Sequence, residues 1–338
     1  MTPKPIRSAL ASAAVLLVAG PVLAGPSGLK VVNHIAAGGD GGWDYVSVDG
    51  AARTVYVTRG GSVMSVGADT GAVRLGLASA NRSHQVLPVN GGAELLITNG
   101  GNNTATIVDA TTGVVRATAP TSAGPDAAIL EPTTGLALVM GNKSGDINLI
   151  DPKAGVAVGV IKVGGALEYA AADGAGMVFV NVEDTGEMAA IDIKTRTVVA
   201  RYKLDGCEEP SGLAYVAPSH ALLAACANNV AKVVDAATGK VLTTLKIGPH
   251  PDAAFYDNVR QRAFIPCGGD GTLAVITFDG GTAKVIDTIA TAKGAKTGMV
   301  DVKTGKIFLP AAKYMPPAKP GDRPAMAPGS FEILVVGD

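Results

Sequence analysis

One short motif returns along the chain at a nearly constant interval. It reads Ala68-Asp-Thr-Gly71, Asp109-Ala-Thr-Thr-Gly113, Asp151-Pro-Lys-Ala-Gly155, Asp192-Ile-Lys-Thr-Arg196, Asp235-Ala-Ala-Thr-Gly239 and Phe278-Asp-Gly-Gly281, a step of 41 to 43 residues each time. An aspartate carboxylate can accept from the backbone N–H groups ahead of it, and a terminal glycine takes the positive φ that a bulged hairpin requires. Apolar, β-branched alternation flanks each turn, as in Ile147-Asn-Leu-Ile150 before one and Val241-Leu-Thr-Thr-Leu-Lys-Ile247 after another. A single hairpin type repeated at this period in an all-strand chain points to the blades of a propeller.

Six full repeats follow one another from Trp43 to Ala290, each with room for four strands. The two ends of the chain supply the missing parts of a seventh. Leu29-Lys-Val-Val-Asn-His-Ile-Ala36 matches the strand that follows the turn elsewhere, and Phe331-Glu-Ile-Leu-Val-Val336 matches the strand that precedes it. The expected fold is therefore all-β: a seven-bladed β-propeller of four-stranded antiparallel blades, the last closed by the N-terminal strand, which removes exposed sheet edges at the seam. Inner strands such as Leu136-Ala-Leu-Val-Met140 are apolar on both faces, which only neighbouring blades can bury. In the fourth repeat Arg196 replaces the turn glycine, so a less tightly bulged hairpin is expected there.

Lys4 and Arg7, an apolar stretch from Ala9 to Val18 and Val22-Leu-Ala24 before Gly25 read as a secretory leader over 1–24. The mature domain, 25–338, is then expected in the periplasm or outside the cell, as a monomer without a membrane span. Without Lys4 and Arg7 the formal charge moves from −1 to −3. No basic run is present to neutralise phosphates, which argues against nucleic acid as a partner. Export permits a disulfide. Cys207 and Cys226 flank antiparallel strands and are the favoured pair, worth about 3 kcal/mol on the chain-entropy model; Cys226 with Cys267 is the competing connectivity. The period breaks once, at 314–329, where five prolines predict an extended loop at one rim: either a tolerated insertion or a flap for docking a partner.

Leu95-Leu-Ile-Thr-Asn99, Val178-Phe-Val-Asn181 and Thr54-Val-Tyr-Val-Thr58 resemble the Tyr-Val-Thr-Asn repeat of the YVTN family of bacterial secreted seven-bladed β-propellers. Gly38-Gly-Asp-Gly-Gly-Trp-Asp44, Cys207-Glu-Glu-Pro-Ser-Gly212 and Pro328-Gly-Ser-Phe-Glu-Ile-Leu-Val-Val-Gly337 are similar to one exported branch of it. The resemblance covers the mature chain and implies fold and compartment, without an activity. Gln85 departs from the family pattern, which has glycine after the residue at His84.

Aligning the repeats on the innermost strand places Asp44, His84, Asp126, Glu168, Ser211, Asp252 and Thr297 at one mouth of the central channel. Four carboxylic acids and an imidazole suit a divalent cation, with Asp44, His84, Asp126, Glu168 and Asp252 as its ligands, or a cationic ligand. The plain alternative is a polar, water-filled mouth whose carboxylates accept from backbone N–H groups. Glu208 and Glu209 are expected near the same mouth. Trp43, the only tryptophan, is expected to pack under the rim, with ligand stacking as its alternative. His34, His220 and His250 read as structural or solvated. No Cys-x-x-Cys-His, Gly-x-Ser-x-Gly or His-x-x-x-His spacing occurs, so covalent haem, a nucleophile elbow and a local zinc motif have no support. The leading function is a non-catalytic, exported scaffold that binds an envelope protein, a small ligand or a surface polymer. A metal-dependent, lactonase-like hydrolase is the alternative, and single-stranded nucleic-acid binding ranks below both.

Overall fold

A computed structural model describes residues 26–338 apart from positions 40, 281, 318 and 320–323; the leader expected over 1–24 lies outside the described residues. The chain is all-β, with three short 3-10 turns and no α-helix among the described residues. Its strands form five antiparallel sheets of four strands and one of seven. The seven-stranded sheet owes its size to one long strand, Val73–Val89. Its first part pairs with Gly60–Gly67 and its second part with Glu94–Asn99. The expected break between two repeats near residue 80 is thus a continuous strand, since Ala80, Asn81 and Arg82 carry the chain across without a turn glycine.

The innermost strands neighbour one another in sequence order, and Met299–Val300 returns to Val46–Asp49, so they form a closed ring. The seam is made by chain ends. Lys30–Ala36 pairs antiparallel with Glu332–Gly337, from Lys30 opposite Gly337 to Ala36 opposite Glu332, as the matching of the two ends predicts. Apolar clusters fill the spaces between neighbouring sheets; at the seam, Met64, Phe308 and Phe331 are buried together with Val57 and Ile333. Burying a side chain of this size contributes roughly 1.5–3 kcal/mol. Because each cluster draws on successive repeats, a single repeat keeps half of its apolar surface in water, and the ring is the cooperative unit.

Two layers of side-chain hydrogen bonds tie repeat to repeat. Near the channel, Thr58 Oγ1 donates to the His84 carbonyl (3.0 Å), Thr98 Oγ1 to that of Asp126 (2.7 Å) and Asn181 Nδ2 to that of Ser211 (3.0 Å). These three donors occupy the same repeat position, so in three of the repeats one polar residue fixes where the next inner strand begins; three others carry Met140, Ala225 and Pro266 there. At the periphery, Arg74 donates to the Thr111 carbonyl, Arg116 Nη2 to that of Pro152 (2.6 Å) and the Tyr202 hydroxyl to that of Ala236 (3.0 Å). Each acceptor lies in or beside the Asp-to-Gly turn of the following repeat.

The turns themselves form as expected. Asp109 Oδ1 accepts from the N–H groups of Thr111 (3.0 Å) and Thr112 (2.7 Å), and Gly113 N–H closes on the Asp109 carbonyl (2.9 Å). Arg196 differs from the expectation. It keeps a positive φ of 58°, and the bulge beside it, between Ala190 and Ile191, is retained. Its guanidinium lies against Gly159 of the preceding sheet and donates to the Val158 carbonyl (3.2 Å). A glycine opposite the turn makes room for the larger turn residue, which explains why the hairpin is not loosened.

Candidate functional site at the channel mouth

Innermost strands begin at one face of the ring, and in an antiparallel meander the connection between second and third strands returns to that face. Both sets of residues therefore meet at the same mouth. Asp44, His84 and Asp126 come together there, with one potential ligand atom from each lying within 4.8 Å of the others. His84 Nδ1 is 2.8 Å from Asp44 Oδ2 and 3.6 Å from Asp126 Oδ1. Glu168 stands apart from this trio: its Oε1 accepts from Asn142 Nδ2 (2.8 Å) and its Oε2 from the Tyr45 hydroxyl (3.3 Å). Asp252 is held by Lys296 Nζ at 2.6 Å. The five residues expected as metal ligands are thus divided into a close trio and two members with partners of their own.

Thr297 does not face the opening, and Ser211, though largely buried, lines the cleft beside it. Thr297 is fully buried and donates to the Asp44 carbonyl (2.9 Å), while Ser211 lies 3.4 Å from the Pro251 carbonyl, so both link neighbouring inner strands. Glu209 lines a cleft of about 300 Å³ together with Glu183, His250, Asp252 and Lys296. Glu208, exposed, does not line that cleft; its N–H donates to Asn228 Oδ1 (3.2 Å). Cys207 and Cys226 are joined in a disulfide, with Cα atoms 5.3 Å apart, and it anchors the loop that carries Glu208 and Glu209. Cys267 is a buried free thiol, pushed up to about 11 by burial.

The charges at this mouth are unbalanced. Burial pushes Glu168 up to about 9, reinforced by the charges of Asp126, Glu183 and Asp252 and by a hydrogen bond with the Glu183 side chain. Asp126 is pushed up to about 7, by burial first; the His84 charge opposes the shift and Asp44 adds to it. Asp252 is also raised by burial, against the pull of Lys296. His84 is raised by its hydrogen bond to Asp44, which outweighs burial, and by the charge of Asp126. The mouth therefore holds protons at neutral pH that isolated carboxylates would have released.

Glu183, Lys296 and Asn142 are missed by an alignment confined to the first residue of each inner strand. Asn142 and Glu183 occupy one repeat position, just after the second strand, and Lys296 immediately precedes Thr297. Extending the repeat alignment to those two positions would have found them. Below the acids, the Tyr45 and Tyr169 rings meet at 5.1 Å and close the channel. Burial pushes Tyr169 up to about 12. On the far side of this plug a wider cleft of about 430 Å³ is lined by Leu213, Tyr215, Tyr256 and Met299.

Trp43 packs beside the mouth, 5.1 Å from the Phe331 ring and 6.4 Å from Tyr314. Arg59 stacks 3.6 Å over the other partner, Phe331, and gathers the carbonyls of Gly38, Gly39 and Gly41 at 2.9 to 3.1 Å. The glycine-rich approach to Asp44 is thereby wound around a buried guanidinium. The proline-rich segment is not simply extended. Tyr314 bridges Met326, and Met315 N–H donates to the Ala325 carbonyl (2.8 Å), so its base folds back as a short ladder against Trp43. Prolines leave these particular backbone groups free to pair.

No protein-family model and no curated protein matches the chain. Solved structures do. A chain of hydrazine synthase from Kuenenia stuttgartiensis superposes with a TM-score of 0.69 at 16% identity, over 79% of this chain and 92% of that one. A chain of a mitotic checkpoint complex gives 0.69 at 15% identity, over 90% of this chain and 95% of that one. The chain has a β-propeller-type fold. At such identities the likeness extends to the propeller scaffold alone.

Proposed function

We propose that this protein is an exported, non-catalytic, seven-bladed propeller of the YVTN type whose acidic mouth binds a cationic group of an envelope protein, a small ligand or a surface polymer. The closed ring of inner strands and the two-sided pairing of Val73–Val89, which lets one strand serve two blades, support the count of seven. The reading of 1–24 as a leader supports export. The observation that carries the binding role is the concentration of Asp44, Asp126, Glu168, Glu183, Glu209 and Asp252 around one opening, with the Lys296 ammonium already seated on Asp252. A concave surface with this surplus of carboxyl groups attracts cations and loses affinity with salt.

Trp43 is a built-in reporter at the rim. A tetralysine peptide is expected to change Trp43 fluorescence in a salt-dependent manner, and its acetylated form is not. An Asp126→Asn, Asp252→Asn double variant is expected to weaken binding at least tenfold. Equal binding by the variant, or by the acetylated peptide, removes the reading.

A second reading is favoured by one observation, the approach of Asp44, His84 and Asp126 to within ligand-sharing distance. Two carboxylate oxygens and one imidazole nitrogen would hold a divalent cation with positions left open for water and substrate, as a metal-dependent hydrolase requires. Elemental analysis of protein prepared without chelator distinguishes the two readings. A stoichiometric cation that is lost in an Asp126→Ala, Glu168→Ala double variant supports the hydrolase, and metal content at background level in the wild type eliminates it.

A further inference from the structure

Away from both mouths, a cleft of about 230 Å³ opens at the periphery where the closing strand Lys30–Ala36 meets the neighbouring sheet. Arg260, Arg262 and Lys306 line it, over a floor that includes Leu29 and Phe264. Leu29 and Phe264 are buried, whereas Val32, on the wall, is 42% exposed.

The cations of this cleft are short of counter-charge. Arg260 Nη1 donates to Asp257 Oδ2 (3.0 Å) and to the Val302 carbonyl (3.0 Å). Arg262 donates through Nη1 to the Ser27 carbonyl alone (3.1 Å), a neutral acceptor. Among the described residues no carboxylate lies within ion-pair distance of Arg262 or Lys306, although Asp338 stands at the lip. A guanidinium presents its remaining N–H groups as a planar fork, a geometry that matches two oxygens of a tetrahedral oxyanion.

We infer that this cleft is an oxyanion site, for the phosphate or sulfate group of a small monoester whose apolar substituent rests against Val32, Leu29 and Phe264. Arg262 supplies the fork, Lys306 a second charge, and Arg260 is fixed at the wall by Asp257. The site is separate from the acidic mouth and carries the opposite charge, so it stands or falls independently of the function proposed above.

Phenyl phosphate and inorganic phosphate are the probes, titrated into the full chain against sodium chloride of matched ionic strength while the thermal midpoint is followed. Ligand at ten times its Kd raises the folding equilibrium about tenfold. Phenyl phosphate is expected to bind roughly tenfold tighter than inorganic phosphate, the effect of covering some tens of Å² of apolar floor. Lys306→Gln, on a side chain that makes no ion pair within 4 Å and acts on Asp69 only through its charge, is expected to weaken both probes several-fold with the unliganded midpoint changed far less than the shift the probes produce. Arg262→Gln with Lys306→Gln is expected to abolish the shift. No shift in the wild type beyond the chloride control overturns the inference, as does a shift of unchanged size in Lys306→Gln and in the double variant.

Discussion

Gly113→Ala is expected to destabilise the protein by about 3–5 kcal/mol, far more than adding one methyl group to a surface turn would normally cost. Two effects add at this position. Gly113 has φ of +76°, where an L-residue with a Cβ is strained by roughly 1–2 kcal/mol. A Cβ built there would also stand 1.7 Å from the backbone carbonyl oxygen of Leu77 in the preceding part of the sheet. The obstacle is main chain, so no rotamer change relieves it, and the strand must move away from the turn, disturbing the Arg74 contact with Thr111 as it does so. Gly135→Ala is the control: its φ of +71° is similar, but nothing stands within 4 Å of the new Cβ. It should cost only the conformational strain. Urea unfolding of the two variants checks the account, and equal losses would show that close approach between repeats is not what the repeated glycine serves.

Raising the pH from 5.5 to 9.5 is expected to destabilise the fold by several kcal/mol through the mouth alone. The sign follows from the direction of the shifts. Asp126 and Glu168 lose their protons in the unfolded chain within the ordinary carboxylate range, but in the folded chain only near about 7 and about 9. Between those limits the folded state binds more protons than the unfolded one, so stability falls as pH rises through the window. His84, raised by Asp44, acts in the same direction above its ordinary value. Asp44, Glu183, Asp252, Lys296 and Tyr45 face these groups. The thermal midpoint should drop by about 5–10 °C across this range. Glu168→Gln should flatten most of the slope above pH 7, since the amide keeps an acceptor for Asn142 and carries no charge. A wild-type profile that is level, or a Gln variant with an undiminished slope, would falsify the account of the mouth. Such a slope also bears on function, because a cationic ligand would be bound more tightly as Glu168 ionises, opposite in sign to the stability.

A second repeated turn shows how much of the scaffold lay open to reading. Asp49 Oδ1 accepts from Ala51 and Ala52 N–H groups, Glu131 from Thr133 and Thr134, and Asp257 from Val259 and Arg260, each closing the hairpin between the first two strands of a repeat. These carboxylates are buried and stand two and three periods of the Asp-to-Gly turn apart, and so they were visible in the sequence by the same argument. Lys296 was less accessible. An isolated lysine beside Thr297 carries no sign of its partner until the ring brings Asp252, one repeat away, to 2.6 Å.

Local chemistry settled what each segment of this protein becomes: a turn where an acid precedes a positive-φ residue, a strand where β-branched residues alternate, a seam where two half-repeats complement each other. Those rules act over a few residues, and the period multiplies them, so sequence sufficed for strands, their antiparallel order and the pairing of the two ends. The site was decided across repeats. Which acids touch His84, which one Lys296 neutralises, and how far burial holds Asp126 and Glu168 in their protonated forms depend on distances between residues about 40 positions apart. Electrostatic energies vary with those separations and with the loss of surrounding water, and only closure of the ring fixes either one.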